Sequence, residues 1–158
     1  MKGRRILGID PGSGRLGHGL IEIIDGHAHL IGHGCIETTI NSPEPQKLAT
    51  IYEEMVALVE TIKPDLIAVE MLFFARNVTT AFSVGQARGV VLLVAAQANV
   101  PIAEIAPLKL KKVLLGNGAS KKKDIQNFVK EYFGLEKIPK PDDAADAIAI
   151  ALSQVIIS

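Results

Sequence analysis

The sequence predicts an α/β fold: a five-stranded mixed sheet, antiparallel in its first three strands and parallel in the rest, flanked by helices. Three observations predict it. Short apolar runs, Ile6 to Ile9, Leu66 to Val69 and Val100 to Ile105, each stop just before a carboxylate or near a proline. A helix-period stripe lies between the first two of these runs, and a strand–helix–strand order sets the two strands parallel through a right-handed crossover. Ahead of that helix, apolar segments joined by short turns make an antiparallel meander.

The first strand covers about Arg4 to Asp10 and runs into Pro11-Gly12-Ser13-Gly14. The pattern resumes over Gly17 to Asp25 with Leu20, Ile21, Ile23 and Ile24. Asp25-Gly26 is a two-residue hairpin signal, and a third strand follows from about Ala28 to Thr39. His27, His29, His33 and Cys35 alternate along that strand without a second CxxC or HxxxH pair, so they read as strand residues and not as a zinc site.

Asn41 to Pro45 forms a loop and helix start. Leu48, Ile51, Tyr52, Met55, Val56, Val59 and Ile62 then recur at helical spacing, and Lys63-Pro64-Asp65 ends that helix before the strand to Glu70. Thr79 to Asn99 reads as a long helix rich in Ala, Gly and Ser, apolar nearly all round and therefore buried on more than one side. Val100 to Ile105 is the fifth strand and Pro107 to Leu115 a short helix. After the Gly116-Asn117-Gly118 turn, Ser120 is the expected cap of a helix running to about Phe133. Pro139-Lys140-Pro141 leads into the last helix, Asp142 to about Ile157.

A length of 158 residues suits one domain, 1–158, with a sizeable core. The single cysteine, Cys35, excludes an internal disulfide and suggests a reducing compartment. The apolar run after Met1-Lys2-Gly3-Arg4-Arg5 is too short for a signal peptide, and Val90 to Ala96 falls far below the ~18 apolar residues of a membrane span. A soluble, cytoplasmic protein with no membrane partner is the expectation. Net charge is zero, so no global field draws the chain to nucleic acid. Seven of the seventeen basic residues nevertheless fall between Lys109 and Lys130, against one acid, Asp124. Such a run is either a solvated helix face or a patch that contacts phosphates.

Chemistry is carried by four carboxylates. Asp10 and Glu70 each end an apolar strand, where a carboxylate is costly to bury unless a cation meets it. If those strands are parallel neighbours, their C-terminal ends bring the two acids together at the edge where open α/β sheets put their sites. Asp143 and Asp146 are three apart in the first turn of the last helix, on one face, and the helix N-terminus favours their charge. Ala144, Ala145 and Ala147 let that helix lie close to the sheet. Any one of these acids alone reads as a cap or a strand end. Four converging on one point make sense if divalent cations neutralise them, and an all-oxygen donor set suits Mg²⁺ or Mn²⁺. Two such ions ~4 Å apart serve phosphodiester hydrolysis.

Over nearly its whole length the chain resembles the RuvC family of Holliday junction resolvases. The segments that carry the resemblance are Gly8-Ile9-Asp10-Pro11-Gly12-Ser13, Val69-Glu70 with Phe73 and Asn77, Gly85-Gln86-Ala87-Arg88-Gly89, and Ala144 to Ala151. The resemblance implies a ribonuclease H-like fold and a homodimeric, Mg²⁺-dependent endonuclease that nicks four-way DNA junctions, with two ions per subunit and Mn²⁺ as a substitute. It also implies a branch-migration motor of the RuvA–RuvB type as partner. The family's catalytic, metal-holding acids fall on Asp10, Glu70, Asp143 and Asp146. Its lysines near the scissile phosphate fall on Lys111 and Lys122, with Lys112, Lys121 and Lys123 close by. Phe73 matches an aromatic that stacks on an unpaired base, a role Phe74 beside it could share. Asp142 matches no family residue and is expected only to cap the last helix. Met71 departs from the polar residue expected after Glu70.

The alternatives belong to other classes. A pre-ribosomal RNA-processing relative would share the fold, but such relatives usually lack this spacing of the final acids and are shorter. An actin-like ATP-binding protein also opens with a strand, an Asp and a glycine turn, yet needs two domains to enclose its nucleotide. A catalytically silent DNA-binding module would gain nothing from acids that repel phosphate.

Overall fold

The computed structural model describes residues 2–12, 14–71, 78–117 and 121–158, with the Thr79 side chain excepted. Strands β1 (Arg4–Pro11), β2 (Arg15–Ile24) and β3 (His27–Glu37) are followed by α1 (Glu44–Ile62), β4 (Leu66–Glu70) and α2 (Val78–Gln97). Then come β5 (Ile102–Ile105), α3 (Pro107–Leu115), α4 (Lys122–Tyr132) and α5 (Asp142–Ile157). The strand order is β3-β2-β1-β4-β5. β1 pairs antiparallel with β2 and β2 with β3, whereas β1–β4 and β4–β5 are parallel. This is the mixed sheet the apolar runs predict.

The β2–β3 hairpin turns on Asp25 (φ 51°) and Gly26 (φ 80°), the two positive-φ positions that a tight primed turn requires. Between Leu20 and Ile21 the register shifts, and Ile31 is left over as a bulge. The bulge inverts the alternation along β3. His27 and His29 share one face with Glu22 and Ile24, while His33 and Cys35 share the other with Gly19 and Gly17. The four residues therefore cannot meet on one side of the sheet. β5 is shorter than expected because Val100 belongs to the end of α2: Asn99 is left-handed (φ 56°) and the Val100 N–H bonds the Ala95 carbonyl at 2.9 Å.

Helices cover both faces of the sheet. On one, Ile51, Met55 and Val59 of α1 and Ala87, Val91, Val94 and Ala95 of α2 bury Leu7, Ile9, Ile67 and Val69. On the other, α3, α4 and α5 close over Ile6, Ile21, Ala68 and Ile105. α5 is buried along most of its length, Ala144 and Ala145 included. Glycines set how closely it approaches. A Cβ on Gly8 would fall on the Ala147 carbonyl, one on Gly17 on the Asp143 carbonyl, and one on Gly19 on the Ile148 side chain.

Two capping expectations change. α4 begins at Lys122 with Lys121 as its N-cap, and the Asp124 carboxylate accepts the Lys121 N–H at 2.9 Å. Ser120, the expected cap, lies outside the described residues. Asp142 is not a cap either. Pro141 holds the N-cap of α5, and Asp142 is the first residue of the helix proper, where its charge meets the helix dipole instead.

Candidate active site

Asp10 sits one residue from the end of β1, and the register pairing Ile9 with Val69 carries Asp10 and Glu70 to the C-terminal ends of adjacent parallel strands. Opposite Asp10 in β2 stands Gly17, whose missing Cβ admits the first turn of α5. Asp143 and Asp146 thereby come down over Asp10. Among the described residues, carboxylate oxygens of Asp10, Asp143 and Asp146 lie within 4.8 Å of one another, and all three residues are partly buried. Glu70 is outside that tight group. It lines, with Asp10 and Asp146, an open cleft of about 280 Å³ whose other walls include Lys111, Lys122 and Ile125.

The electrostatics follow from crowding acids in a half-buried place. Burial first, then the charges of Asp146, Asp143 and Glu70, push Asp10 from 3.8 up to about 8, against the opposing pull of Lys122. Glu70 is raised by burial and by Asp146, with Lys122 and Lys111 working the other way. Asp146 is raised by burial although its bond to Lys122 and a hydrogen bond from Gln126 lower it. For Lys122, burial disfavours the charged form. The hydrogen bond and charge of Asp146, with Asp10 and Asp143 behind it, outweigh that and raise its pKa.

Lys122 donates to Asp146 Oδ2 at 2.8 Å. Lys111 stands on the cleft wall, whereas Lys112, Lys121 and Lys123 are exposed and do not line it. Phe73, Phe74 and Asn77 lie outside the described residues. Three further residues flank the acids: Arg15 and Gln126, which did not stand out in the sequence, and Arg88, which lies in the Gly85 to Gly89 segment that carries the resemblance. Arg15 Nε is 3.8 Å from Asp143 Oδ2 and 3.7 Å from Glu37 Oε1. Gln126 is buried beside Asp146, one helical turn after Lys122, and that spacing was the signal available for it. Arg88 flanks Asp10 and Glu70 from α2.

The donor set fits a hard divalent cation. Among the described residues three carboxylates converge closely enough to share one ion, and Asp10 is held protonated near neutral pH by burial first and then by neighbouring negative charges that a cation would offset.

Residues 6–154 match the sequence profile of the crossover junction endodeoxyribonuclease RuvC. The chain belongs to the RuvC family. It is 50% identical over 147 residues to the crossover junction endodeoxyribonuclease RuvC of Thermotoga maritima, covering 93% of this chain and 88% of that one. The structure of RuvC from Thermus thermophilus superposes with a TM-score of 0.88 at 32% identity, over 96% of this chain and 93% of that one. The same Thermus thermophilus protein in complex with Holliday junction substrate gives a TM-score of 0.85 at 30% identity, with the same coverage. The mixed sheet with helices on both faces is thus a RuvC fold, as the resemblance implied.

Proposed function

We propose that this chain is a divalent-metal-dependent endonuclease that resolves four-way DNA junctions by paired, symmetric nicks, acting as a homodimer. The observation that carries the reading is the convergence of Asp10, Asp143 and Asp146 within 4.8 Å at a cleft walled by Lys111 and Lys122. Family membership supplies the substrate class, since the matched profile is that of a crossover junction endodeoxyribonuclease. It also sets aside the RNA-processing alternative.

Asp10, Glu70, Asp143 and Asp146 are the residues that would hold Mg²⁺, two ions in the full site, with Mn²⁺ able to replace it. At such a site the bound ion supplies a water nucleophile at neutral pH and charge stabilisation on the leaving oxygen. The chain's own residues do the rest. Lys122 and Lys111 present ammonium groups to the non-bridging oxygens of the scissile phosphate, which orients it and offsets its growing charge. Gln126 fixes the Asp146 carboxylate by a hydrogen bond, so that Lys122 can turn from Asp146 to phosphate without releasing it. Lys112, Lys121 and Lys123, exposed around the start of α4 and on α3, suit contacts to more distant phosphates. Phe73 and Phe74 are retained as candidates for stacking on an unpaired base.

Two copies are needed because one acidic group makes one cut. The resolvase reading also implies a partner motor of the RuvA–RuvB type and work in the cytoplasm. Among the described residues no helix is long and apolar enough to cross a membrane.

The test is incubation with a synthetic four-way junction, a linear duplex and an RNA–DNA hybrid, each with and without Mg²⁺. Nicking of the junction alone, in Mg²⁺ alone, is expected. Asp10→Asn, Glu70→Gln, Asp143→Asn and Asp146→Asn should each lose cleavage by a factor of about a thousand while still binding the junction, since removing negative charge does not weaken phosphate contacts. Preferential cutting of the RNA–DNA hybrid would overturn the reading.

A further inference from the structure

We propose that Arg88 is a positioning residue for the acidic site, holding Glu70 in place through a water bound by its buried Nε–H. The proposal rests on the metal-site reading above and extends it to a second layer of residues behind the carboxylates.

Asp10 and Glu70 wall two spaces at once. One is the open cleft with Lys111 and Lys122. The other is a small cavity of about 50 Å³ on the side of α2, lined by Asp10, Pro11, Glu70, Met71, Val84 and Arg88. α2 is fixed there by Ala87 and Val91, both buried against the sheet. Arg88 follows Ala87 and turns its guanidinium to Glu104 on β5, donating from Nη2 to Oε1 at 2.5 Å. Glu104 is itself anchored beside β4, in register with Val69, the residue before Glu70. The arginine is thus clamped, and its side chain is only 18% exposed.

Its Nε is buried and has no hydrogen-bond partner among the described residues. A guanidinium cannot shed its proton to relieve such a position, so a buried donor of this kind needs an acceptor. Arg88 also lines the cavity, the nearest described space in which such an acceptor could sit. A water needs roughly 10–15 Å³ and two to four polar partners, and a space of about 50 Å³ lined by Arg88, Glu70 and Asp10 meets both conditions. A water there accepts from Arg88 Nε–H and donates to the carboxylates.

Glu70 is the acid that gains most from such support. It sits at the free end of β4 and outside the tight group of three. Carboxylates that bind metal are held by hydrogen bonds behind them, and loss of such a bond typically weakens metal binding 10–100-fold. A direct contact of Arg88 with DNA does not fit its burial or its clamp to Glu104.

The experiment is a Mn²⁺ titration of the whole protein without DNA, followed by calorimetry and by the electron paramagnetic resonance of free Mn²⁺. The decisive variant is Arg88→Met with Glu104→Gln. It removes one positive and one negative charge together, so the field at the site changes little and affinity reports the lost hydrogen bond. About tenfold weaker Mn²⁺ binding is expected, at an unchanged circular dichroism spectrum. Wild-type affinity in this variant would overturn the proposal. Should the double variant not fold, Arg88→Lys keeps the charge and the pair with Glu104, but all its N–H donors sit on one terminal nitrogen and none lies where the arginine Nε–H does. It should lose Mn²⁺ affinity by a similar factor, and wild-type affinity there would equally overturn the proposal. Absence of Mn²⁺ binding by the wild-type chain would instead bring down the metal-site reading, and this proposal with it.

Discussion

Lys122 Nζ stands 2.8 Å from Asp146 Oδ2, so a cation of the chain itself occupies one of the carboxylates on which a metal would be held. The pair ties the first residue of α4 to α5, and Gln126, one turn further along α4, adds a second bond to the same carboxylate. Lys122 and a divalent ion would compete for Asp146. A divalent ion held by Asp146 would free the ammonium to face the cleft that Lys122 lines.

Lys122→Ala should therefore separate chemistry from binding. Cleavage of a four-way junction under single-turnover conditions is expected to fall about a hundredfold or more, with junction affinity falling less than tenfold. Lys123→Ala, which removes an exposed neighbour off the cleft wall, should do the reverse: a modest loss of affinity, eased at low salt, with cleavage of bound junction intact. Equal effects of the two substitutions would place Lys122 among ordinary backbone contacts.

The acids predict how metal-free stability depends on pH. Asp10, pushed to about 8 by burial and by its acidic neighbours, keeps a proton in the folded chain that the unfolded chain releases near 3.8. Between those values the folded state binds more protons than the unfolded one, so stability falls as pH rises. Glu70 and Asp146 are displaced in the same direction and add to the slope. In EDTA, the urea midpoint should decline from pH 5 to pH 8. Asp10→Asn should flatten the decline, and Mg²⁺ should restore the midpoint at pH 8 by binding the ionised form. A midpoint that rises over this range would contradict the electrostatic account.

The approach of α5 to the sheet rests on glycines. A methyl group on Gly8 would fall on the Ala147 carbonyl, a backbone group that cannot swing aside, so α5 must move and carry Asp143 and Asp146 away from Asp10. Gly8→Ala is expected to cost about 2 kcal/mol or more in urea unfolding and to lose cleavage even where the chain remains folded. Gly32→Ala, where the added carbon meets no atom within 4 Å, is the control and should change neither.

Much of this site was legible in the chain. Asp10 and Glu70 end apolar strands, and parallel pairing of those strands follows from the helix between them. Asp143 and Asp146 share a helix face by their spacing. What periodicity could not give is which residues reach across from other elements. Arg15 contacts Asp143 because α5 lies so close to the sheet, which depends on three glycines acting together, and Gln126 reaches Asp146 because α4 packs on α5. The bulge at Ile31 was invisible for a similar reason. Nothing in an alternating strand marks the residue at which its partner slips register, yet that slip sends His33 and Cys35 to the face opposite His27 and His29. α4 starts one position later than expected, with Asp124 accepting the Lys121 N–H, whereas α5 starts at Asp142 as expected and only its N-cap differs, Pro141 in place of Asp142.

Assembly is the last prediction. A four-way junction is resolved by two nicks at two-fold related positions, and one chain carries one acidic group, so a symmetric pair is the economical arrangement. α2 offers the seam. Ala87, Val91, Val94 and Ala95 on one side are buried in the chain's own core. On the other side Phe82, Gln86, Gly89, Leu93 and Ala96 form an exposed stripe at helical spacing, with Phe82 64% and Leu93 49% exposed. At Gly89 the surface is open, and a small residue there lets a second helix come close. Sedimentation equilibrium should give about twice 16.9 kDa, and Leu93→Glu should shift it toward the single chain. Arg88 stands on this same helix and lines a cavity with Glu70, so a seam here would share α2 with the site. A mixed dimer with Asp10→Asn in one subunit should nick one strand of the junction and leave the opposing strand whole. A strict monomer that cuts both strands symmetrically would show that the stripe has another purpose and that one acidic group can serve both cuts in turn.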